Sequence, residues 1–426
     1  MAPSSITSSV DQPDANPFVR VARPSGISRW VPAISALRTY QRPWLAKDLT
    51  AGLVLTAILV PVGMGYAQAA GLPAIYGLYA TIVPLLAYAI FGPSRILVLG
   101  PDSSLAAIIA ATIVPLAAGD PDRLVALAGA LALLTGGLCI LAGLARFGFI
   151  TDLLSKPVRL GYLNGIALTV IIGQLPKLLG FSSSGDNLIQ EAISLAQGVA
   201  QGMTNGTAFA IGAACLAIVL IFKRRWPKIP GVLIAVVGAT VVVGVFNLAV
   251  TAGVSVVGPL PQGLPSFQIP AVSLADLSAL AAGAVALTLV SFADTSVLSR
   301  TFALRGGYEV DQNQEMIALG AANVAAGLFQ GFSISSSSSR TPVAEQAGAK
   351  TQVTGVVGAL CIALLLLFAP TLLQNLPNAA LGAVVIAACL SLVDIQGFAR
   401  LYQVRRGEFV LAVVCFLGVA LIGVIQ

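Results

Sequence analysis

The chain has 426 residues, of which 57% are hydrophobic and only 9% are charged, and its formal net charge at pH 7 is +6. Soluble globular domains contain about 25% charged residues, so this composition indicates a helical protein that crosses a lipid bilayer several times. The sequence contains no histidine, which excludes a Ser-His-Asp triad and any metal site with histidine ligands. We therefore expect neither a cofactor nor an enzyme.

The N-terminal segment differs from the rest of the chain because it is rich in Ser, Pro, Asp and Arg. It lacks the apolar stretch of a secretory signal peptide. We interpret residues 1–45 as a cytoplasmic tail that ends in a short interfacial segment between Trp30 and Trp44. Residues 46–426 are then predicted to form a transmembrane transport domain.

Apolar segments recur along that domain, and most have the roughly 17–25 residues that a membrane helix needs. We place them at 50–69, 74–91, 102–118, 124–144, 158–176, 206–222, 230–249, 279–299, 313–330, 337–348, 351–369, 378–393 and 407–424. With a cytoplasmic N-terminus, nearly all of the 23 Lys and Arg residues then fall on one side. This asymmetry follows the positive-inside rule and predicts a multi-pass protein of the cytoplasmic (inner) membrane. The basic residues are spread over many short loops, so no nucleic-acid partner is indicated.

Two of these segments, 102–118 and 337–348, are too short to cross a bilayer core about 30 Å thick. Each follows a stretch that favours an extended backbone, RILVLGPDSS before the first and GFSISSSSSR before the second. We predict a short strand followed by a half-helix at each place, with the two half-helices meeting near the midplane. Because they are the third and tenth membrane elements, they predict two inverted repeats of seven elements.

The serine run at 335–339 leads directly into Arg340. A surface loop is one interpretation of this run. Irregular backbone at membrane depth is tolerated where protein or a watery cavity satisfies it, and serine hydroxyls can cap free N–H groups. A cation at a helix start within the membrane costs free energy unless something negative binds there. The pattern therefore also predicts an anion site at this half-helix.

Three stretches resemble the SulP/SLC26 anion transporter family. They are DLTAGLVLTAILVPVGMGYAQAAGLP at 48–73, LPAIYGLYATIVPLLAYAIFGPSR at 72–95 and SSSRTPVAEQAGAKTQVTG at 337–355. The resemblance extends from about residue 45 to residue 426. It implies an all-α polytopic membrane protein with a UraA-like inverted-repeat fold of seven plus seven segments, divided into a core and a gate domain.

In this resemblance the core comprises about 46–150 and 276–370, and the gate comprises about 151–275 and 371–426. The family moves its core against its gate in an elevator-like manner. It also has a fourteenth segment and a cytoplasmic STAS domain. We find neither in this sequence, so we expect a shortened chain. Homodimers, which often form through that domain in the family, are compatible with the resemblance.

The resemblance places the anion between the third and tenth half-helices, beside the first and eighth helices. The family positions that bind it correspond to Ser103, Ser104, Leu105, Ser338, Ser339 and Arg340. The third-helix residues among them would act mainly through their backbone N–H groups. Two further residues are expected to line the site: Gly63, which lets the backbone approach the solute, and Tyr66, which lies close to Pro61 in the sequence.

Two carboxylates are candidates for the coupling ion. Asp294 stands in the eighth helix, where many family members have an acidic residue, and proton binding there could couple anion uptake to a proton gradient. An ion pair with Arg340 that only organises the core is the alternative, and sodium coupling also stays open. Asp102 stands at the start of the third half-helix, as a protonatable group beside the anion or as a helix N-cap.

The function that these features predict is secondary active transport of a small anion by proton-coupled symport. Sulfate, bicarbonate and a dicarboxylate such as fumarate are the candidate substrates. The alternatives are an uncoupled or sodium-coupled anion transporter or channel, and a nucleobase carrier of the same fold, against which Arg340 argues. The expected partners are thus a small inorganic or organic anion, a proton or sodium ion, and the lipid bilayer.

Overall fold

The computed structural model describes residues 30–148, 156–181, 188–226 and 229–422. The first helices are α1 (Pro32–Arg38), α2 (Arg42–Ala69), α3 (Ile75–Phe91), α4 (Ser103–Ala117), α5 (Pro121–Leu144), α6 (Lys156–Leu179), α7 (Leu188–Ala200), α8 (Gly206–Arg225) and α9 (Gly231–Val245). The later helices are α10 (Leu248–Thr251), α11 (Leu274–Gly306), α12 (Gln312–Leu328), α13 (Arg340–Gln346), α14 (Val353–Phe368), α15 (Asn378–Cys389), α16 (Ile395–Val404) and α17 (Arg406–Leu417). Most of the predicted N-terminal tail, residues 1–29, lies outside the described residues.

Within the described ranges, five helices are long and apolar enough to cross a membrane: α2, α5, α6, α8 and α11. Five shorter apolar helices accompany them: α3, α4, α9, α14 and α15. Each predicted membrane segment coincides with a helix. The sequence did not predict α7 and α16, which have 13 and 10 residues. At 1.5 Å per residue both are too short to cross a core about 30 Å thick, so they do not alter the predicted order of spans.

Two short strands bring the starts of the half-helices together. Strand β1 (Leu99–Gly100) pairs antiparallel with β2 (Ser335–Ser336). A hydrogen bond of 3.0 Å from the backbone N–H of Ser337 to the carbonyl oxygen of Val98 extends this pairing. Helix α4 follows β1 and helix α13 follows β2, so the two half-helices begin beside each other, as predicted.

Helix packing divides most of the described helices into two groups. We call α2–α5 and α11–α14 the core helices, and α6, α8, α9, α15 and α17 the gate helices. The core–gate seam is the surface where core and gate helices face each other: α2 and α4 pack against α6 and α15, and α11 reaches α6 through the contact of Asp294 with Arg159. The domain boundaries given above stay predictions.

Glycines allow close approach of the core helices. A Cβ atom on Gly136 of α5 would lie 2.7 Å from the carbonyl oxygen of Gly320 on α12. A Cβ atom on Gly63 of α2 would lie 2.9 Å from the carbonyl oxygen of Gly77 on α3. Small residues serve this purpose within membranes, where lipid tails are as apolar as the helices and close packing drives association. Gly63 is thus needed for helix packing, and its contact with a solute stays a prediction.

Asp48 on α2 fixes the connection between α13 and α14. Its fully buried carboxylate accepts hydrogen bonds from the backbone N–H groups of Lys350 (2.6 Å) and Thr351 (3.1 Å). The hydroxyls of Thr351 (2.7 Å) and Thr354 (3.1 Å) donate to the same carboxylate. A buried carboxylate needs such donors, and here they anchor the C-terminal side of the tenth membrane element to the first.

Candidate functional site

Arg340 is the first residue of α13, and its side chain is fully buried. Its Nη2 atom donates a hydrogen bond of 2.6 Å to the carbonyl oxygen of Pro101, and its backbone N–H donates to Ser337 Oγ at 3.2 Å. The Nε and Nη1 atoms have no hydrogen-bond partner among the described residues. A guanidinium stays charged, and burial of its unused donors costs free energy. The site therefore offers a positive charge and free donors to an acceptor.

Gly100 leaves room for the guanidinium of Arg340. Its φ of +150° is a backbone conformation that residues with a side chain rarely adopt. A Cβ atom at this position would lie only 3.1 Å from Nη1 of Arg340. The glycine thus permits both the strand pairing and the approach of the guanidinium to the backbone before α4.

Asp102 is the N-cap of α4. Its Oδ1 atom accepts hydrogen bonds from the backbone N–H of Ser104 (3.1 Å) and from the Ser104 hydroxyl (2.9 Å). Its carbonyl oxygen accepts from the backbone N–H of Leu105 at 3.3 Å. Of the backbone donors predicted at 103–105, those of Ser104 and Leu105 are therefore already engaged in this structure.

Tyr66 of α2 is buried beside the start of α4. Its hydroxyl interacts with the side chain of Ser103, and it lies close enough to Asp102 and Arg340 to feel their charges. The structure thus brings the predicted residues of the first, third and tenth membrane elements into one neighbourhood.

Asp294 of α11 is paired with a gate residue. Its Oδ1 atom accepts a hydrogen bond of 2.6 Å from Nη2 of Arg159 on α6, and its Oδ2 atom accepts from the Ser104 hydroxyl at 3.3 Å. The sequence suggested Arg340 as a partner, but that guanidinium is turned toward Pro101. The exposed fraction is 31% for the Arg159 side chain and 17% for that of Asp294, so the protein does not fully enclose the pair.

The charges around the two half-helix starts balance. Arg159 and Arg340 are positive, and Asp102 and Asp294 are negative in their ionised forms. The Ser104 hydroxyl lies 2.9 Å from one carboxylate and 3.3 Å from the other, but it can donate its single proton to only one of them. An added anion would give this cluster a net negative charge, and each proton that enters with the anion removes one unit of it.

The serine run is not a flexible linker. The Ser335 hydroxyl donates a 3.1 Å hydrogen bond to the carbonyl oxygen of Ser291, and Thr295 donates one of 3.1 Å to the Ser336 hydroxyl. Both partners belong to α11, so the eighth membrane helix satisfies the run at β2. The last two serines of the run are exposed: Ser338 and Ser339. They directly precede Arg340, and the Ser339 hydroxyl lies 3.1 Å from that of Ser337.

Besides Arg159, two residues near the site were not predicted, Asn323 and Tyr162. Asn323 of α12 accepts from the backbone N–H of Ile334 at 2.9 Å and donates to its carbonyl oxygen at 3.1 Å, which satisfies the backbone just before β2. Tyr162 of α6 has a buried hydroxyl with no hydrogen-bond partner in the described part of the chain. A polar side chain within an apolar helix was the available signal for both, but it does not reveal the contact.

The opposite end of α6 borders a cavity of about 760 Å³ in the core–gate seam. Lys177 there donates a hydrogen bond of 3.0 Å to the carbonyl oxygen of Gln68, and the Gln68 amide donates one of 2.8 Å to Asn378. Gate and core thus meet through an ion pair at one end of α6 and through uncharged acceptors at the other.

Residues 45–415 match the sulfate permease family. A probable sulfate transporter of Mycobacterium tuberculosis (strain H37Rv) is 43% identical over 395 residues, which cover 93% of this chain and 70% of that protein. Solute carrier family 26 member 6 of Homo sapiens is 32% identical over 399 residues, which cover 88% of this chain and 52% of that protein. The chain therefore spans about half to two thirds of these relatives.

Solved structures share the fold. The murine Solute Carrier 26 family member A9 anion transporter in its inward-facing state has a TM-score of 0.86 at 25% identity and matches 94% of this chain and 69% of that one. The transmembrane domain of the cyanobacterial bicarbonate transporter BicA has a TM-score of 0.81 at 23% identity and matches 91% of this chain and 98% of that one. These likenesses confirm the UraA-like inverted-repeat fold.

The apolar helices, the paired half-helices and this fold define a multi-pass membrane transporter, not an enzyme. The chain belongs to the sulfate permease (SulP/SLC26) family. The resemblance found in the sequence is thereby confirmed.

Proposed function

We propose that the protein is a secondary active transporter that moves a small anion across the cytoplasmic membrane, with its N-terminus in the cytoplasm. Relatives named as sulfate and bicarbonate transporters support an anionic substrate, and sulfate, bicarbonate and a dicarboxylate such as fumarate are the candidates. The observation on which the proposal rests is Arg340, a fully buried cation with unused donors where the half-helices begin.

The anion accepts charge-assisted hydrogen bonds from Nε and Nη1 of Arg340, because oxyanions and carboxylates are the usual acceptors of a guanidinium. Ser338, Ser339 and Ser103 contribute hydroxyls beside it, and Tyr66 lines the site. The backbone N–H of Ser104 becomes available when the carboxylate of Asp102 moves away.

A proton accompanies the anion, which makes the transporter a symporter. The balanced charges at the site support this coupling, since a proton that enters with the anion offsets one unit of its negative charge. Asp294 is the proposed proton site because its side chain is partly exposed and stands next to the site through Ser104. Movement of the core helices against the gate helices would then carry both across the membrane, in an elevator-like manner.

Uptake into proteoliposomes tests the proposal. Radiolabelled sulfate, bicarbonate, fumarate, succinate and chloride are offered with and without an inward proton gradient. We expect the gradient to accelerate uptake of one of these anions several-fold. The variant Asp294→Asn should take up the same anion without that acceleration, because amide nitrogen and oxygen bind no proton in this pH range.

An exposed arginine on a gate helix provides the control, and Arg225→Gln should behave as wild type. Uptake that ignores the proton gradient but follows a sodium gradient would favour the sodium-coupled alternative. Uptake that ignores both gradients would favour an uncoupled transporter or channel. If the wild type takes up none of the five anions, the proposed function is wrong.

A further inference from the structure

One ion pair among the described residues joins the core to the gate. The pairs that stay within one group or one junction are Arg123–Asp276, Arg305–Glu345 and Arg405–Glu408. The pair that crosses the core–gate seam is Arg159–Asp294, with 2.6 Å between its nitrogen and oxygen atoms. An elevator-like movement displaces α11 relative to α6, so this contact cannot persist in both end states of transport.

The gate helix presents a second polar group beside this pair. Tyr162 lies three residues after Arg159, so both side chains are on the same face of α6. Its buried hydroxyl has no hydrogen-bond partner in the described ranges, although it lies close enough to Asp294 to feel its charge. A buried hydroxyl without a partner costs free energy, so this donor favours an acceptor that comes close to it.

Unused donors therefore lie on both sides of the seam. The core side has Nε and Nη1 of Arg340, and the gate side has the Tyr162 hydroxyl. Ser104 lies between the two carboxylates beside these donors, with its hydroxyl 2.9 Å from Asp102 and 3.3 Å from Asp294. Asp102 feels the charge of Arg340, and Asp294 binds Arg159. The core helices and the gate helices thus each present a donor at the seam that has no hydrogen-bond partner among the described residues.

We infer that α6 supplies the gate-side half of the anion site, with Arg159 and Tyr162 as additional substrate-binding residues. This inference rests on the proposed function. While Asp294 is ionised, it holds Arg159. When Asp294 takes up a proton it becomes neutral, Arg159 turns its donors to the anion, and the Tyr162 hydroxyl donates to the same anion. The groups that face Asp294 are Arg159 and Tyr162 from α6, and Asp102 and Ser104 from the start of α4.

Two consequences follow from the location of Arg159 on the gate. Proton uptake and anion binding are linked through one guanidinium, which cannot serve the ionised Asp294 and the anion equally well. Arg159 also remains with the gate when the core moves, so it holds the anion in only one of the two end states. The contact thus assists binding or release at one face without locking the core to the gate throughout the cycle.

The decisive test uses a background without the ion pair. In Asp294→Asn the amide cannot form a salt bridge with Arg159, so the structural contribution of the ion pair is absent from both variants that are compared. We then compare KM for the anion that the wild type takes up fastest between Asp294→Asn and the double variant Asp294→Asn/Arg159→Gln. Loss of a charged hydrogen-bond donor to the anion should raise KM roughly tenfold to a hundredfold.

Further variants measure the same contact. Tyr162→Phe removes only a hydroxyl and should raise KM roughly threefold to tenfold. In the wild type, KM should fall as the pH is lowered, because protonated Asp294 releases Arg159. Arg159→Gln alone should lose this dependence. The exposed Arg225→Gln serves as the matched change of charge on the gate and should leave KM and its pH dependence unaltered.

Equal KM values for Asp294→Asn and the double variant would overturn the inference and leave Arg159 as a structural partner only. Melting temperatures in detergent identify a variant that fails to fold. In that case Arg159→Lys in the Asp294→Asn background replaces it, and an unchanged KM would again overturn the inference. Absence of uptake by the wild type is a different result, because it rejects the proposed function itself and the inference with it.

Discussion

The two half-helix starts have the same backbone arrangement and opposite charges. At α4, Asp102 caps the helix and engages the N–H groups of Ser104 and Leu105. At α13, Ser339 makes no side-chain cap hydrogen bond, and Arg340 keeps Nε and Nη1 without partners in the described chain. One start is thus satisfied by its own carboxylate, whereas the other still lacks an acceptor.

This difference shows how an inverted repeat produces an asymmetric site. The antiparallel pairing of β1 with β2 brings both starts together through backbone contacts alone. The side chains then make the two starts differ. Asp102 lowers the positive potential near Arg340 without forming an ion pair with it among the described residues. The guanidinium stays partly compensated and yet free to bind, which suits a site that must also release its anion.

Substitution of Arg340 should have the largest effect on the difference between the two starts. We expect Arg340→Ala to reduce the initial rate of anion uptake at least about a hundredfold, because the charge and its donors to the anion are lost together. Arg340→Lys should recover only part of the rate, since an ammonium group lacks the planar fork of a guanidinium. Uptake in proteoliposomes measures both, and wild-type rates in Arg340→Ala would contradict the placement of the site.

A smaller effect is expected from the residue that lies between the two starts. Gly100→Ala forces a side chain into a backbone conformation with φ of +150° and against Nη1 of Arg340. We expect a loss of about 1–3 kcal/mol of stability, and an increase in KM of roughly tenfold, worth about 1.4 kcal/mol, because the guanidinium must shift. Melting temperature and KM are measured on the same preparation.

Gly119 is the matched control for this change. Its φ is +84°, and a Cβ atom there would meet nothing within 4 Å. Gly119→Ala therefore introduces a similar backbone strain of about 1 kcal/mol without contact with Arg340. KM should stay at the wild-type value. An equal rise of KM in both variants would mean that strain, and not the guanidinium, accounts for the effect of Gly100→Ala.

The fold could be predicted largely because its signals are local. Two short segments after extended stretches, in the third and tenth places, were enough to predict the paired half-helices. The N-cap role of Asp102 was also foreseen, since its partner Ser104 is two residues away. By contrast, α16 was missed because the run IQGFARLYQV is short and interrupted by an arginine, which is typical of an interfacial helix and not of a span.

The contacts of the site could not be predicted in the same way. Arg159 looked like one of many cytoplasmic basic residues, and its partner Asp294 is 135 positions away in the sequence. The acceptor of Arg340 is Pro101, 239 positions away. Periodicity and composition describe neighbours along the chain, whereas these pairs depend on how α6 and α11, or the two strands, meet in the folded protein.

The smallest expected effect concerns the satisfied half-helix start. Asp102→Asn keeps a good N-cap residue but removes a negative charge near Arg340. We expect stability to change by less than about 0.5 kcal/mol. KM should fall several-fold, on the order of 1 kcal/mol, because the negative charge that repels the anion is removed. Asp102→Ala removes the cap as well and should cost about 1 kcal/mol of stability.

The two substitutions separate the charge of Asp102 from its capping role, since only the alanine variant loses both. A lower KM in both variants, with a lower melting temperature only in Asp102→Ala, would show that the negative charge of Asp102 weakens anion binding at the start of α4. Loss of proton-stimulated uptake in Asp102→Asn would instead assign the coupling proton to Asp102 and not to Asp294. The start of α4 would then bind the coupling proton, and Arg340 at the start of α13 would bind the anion.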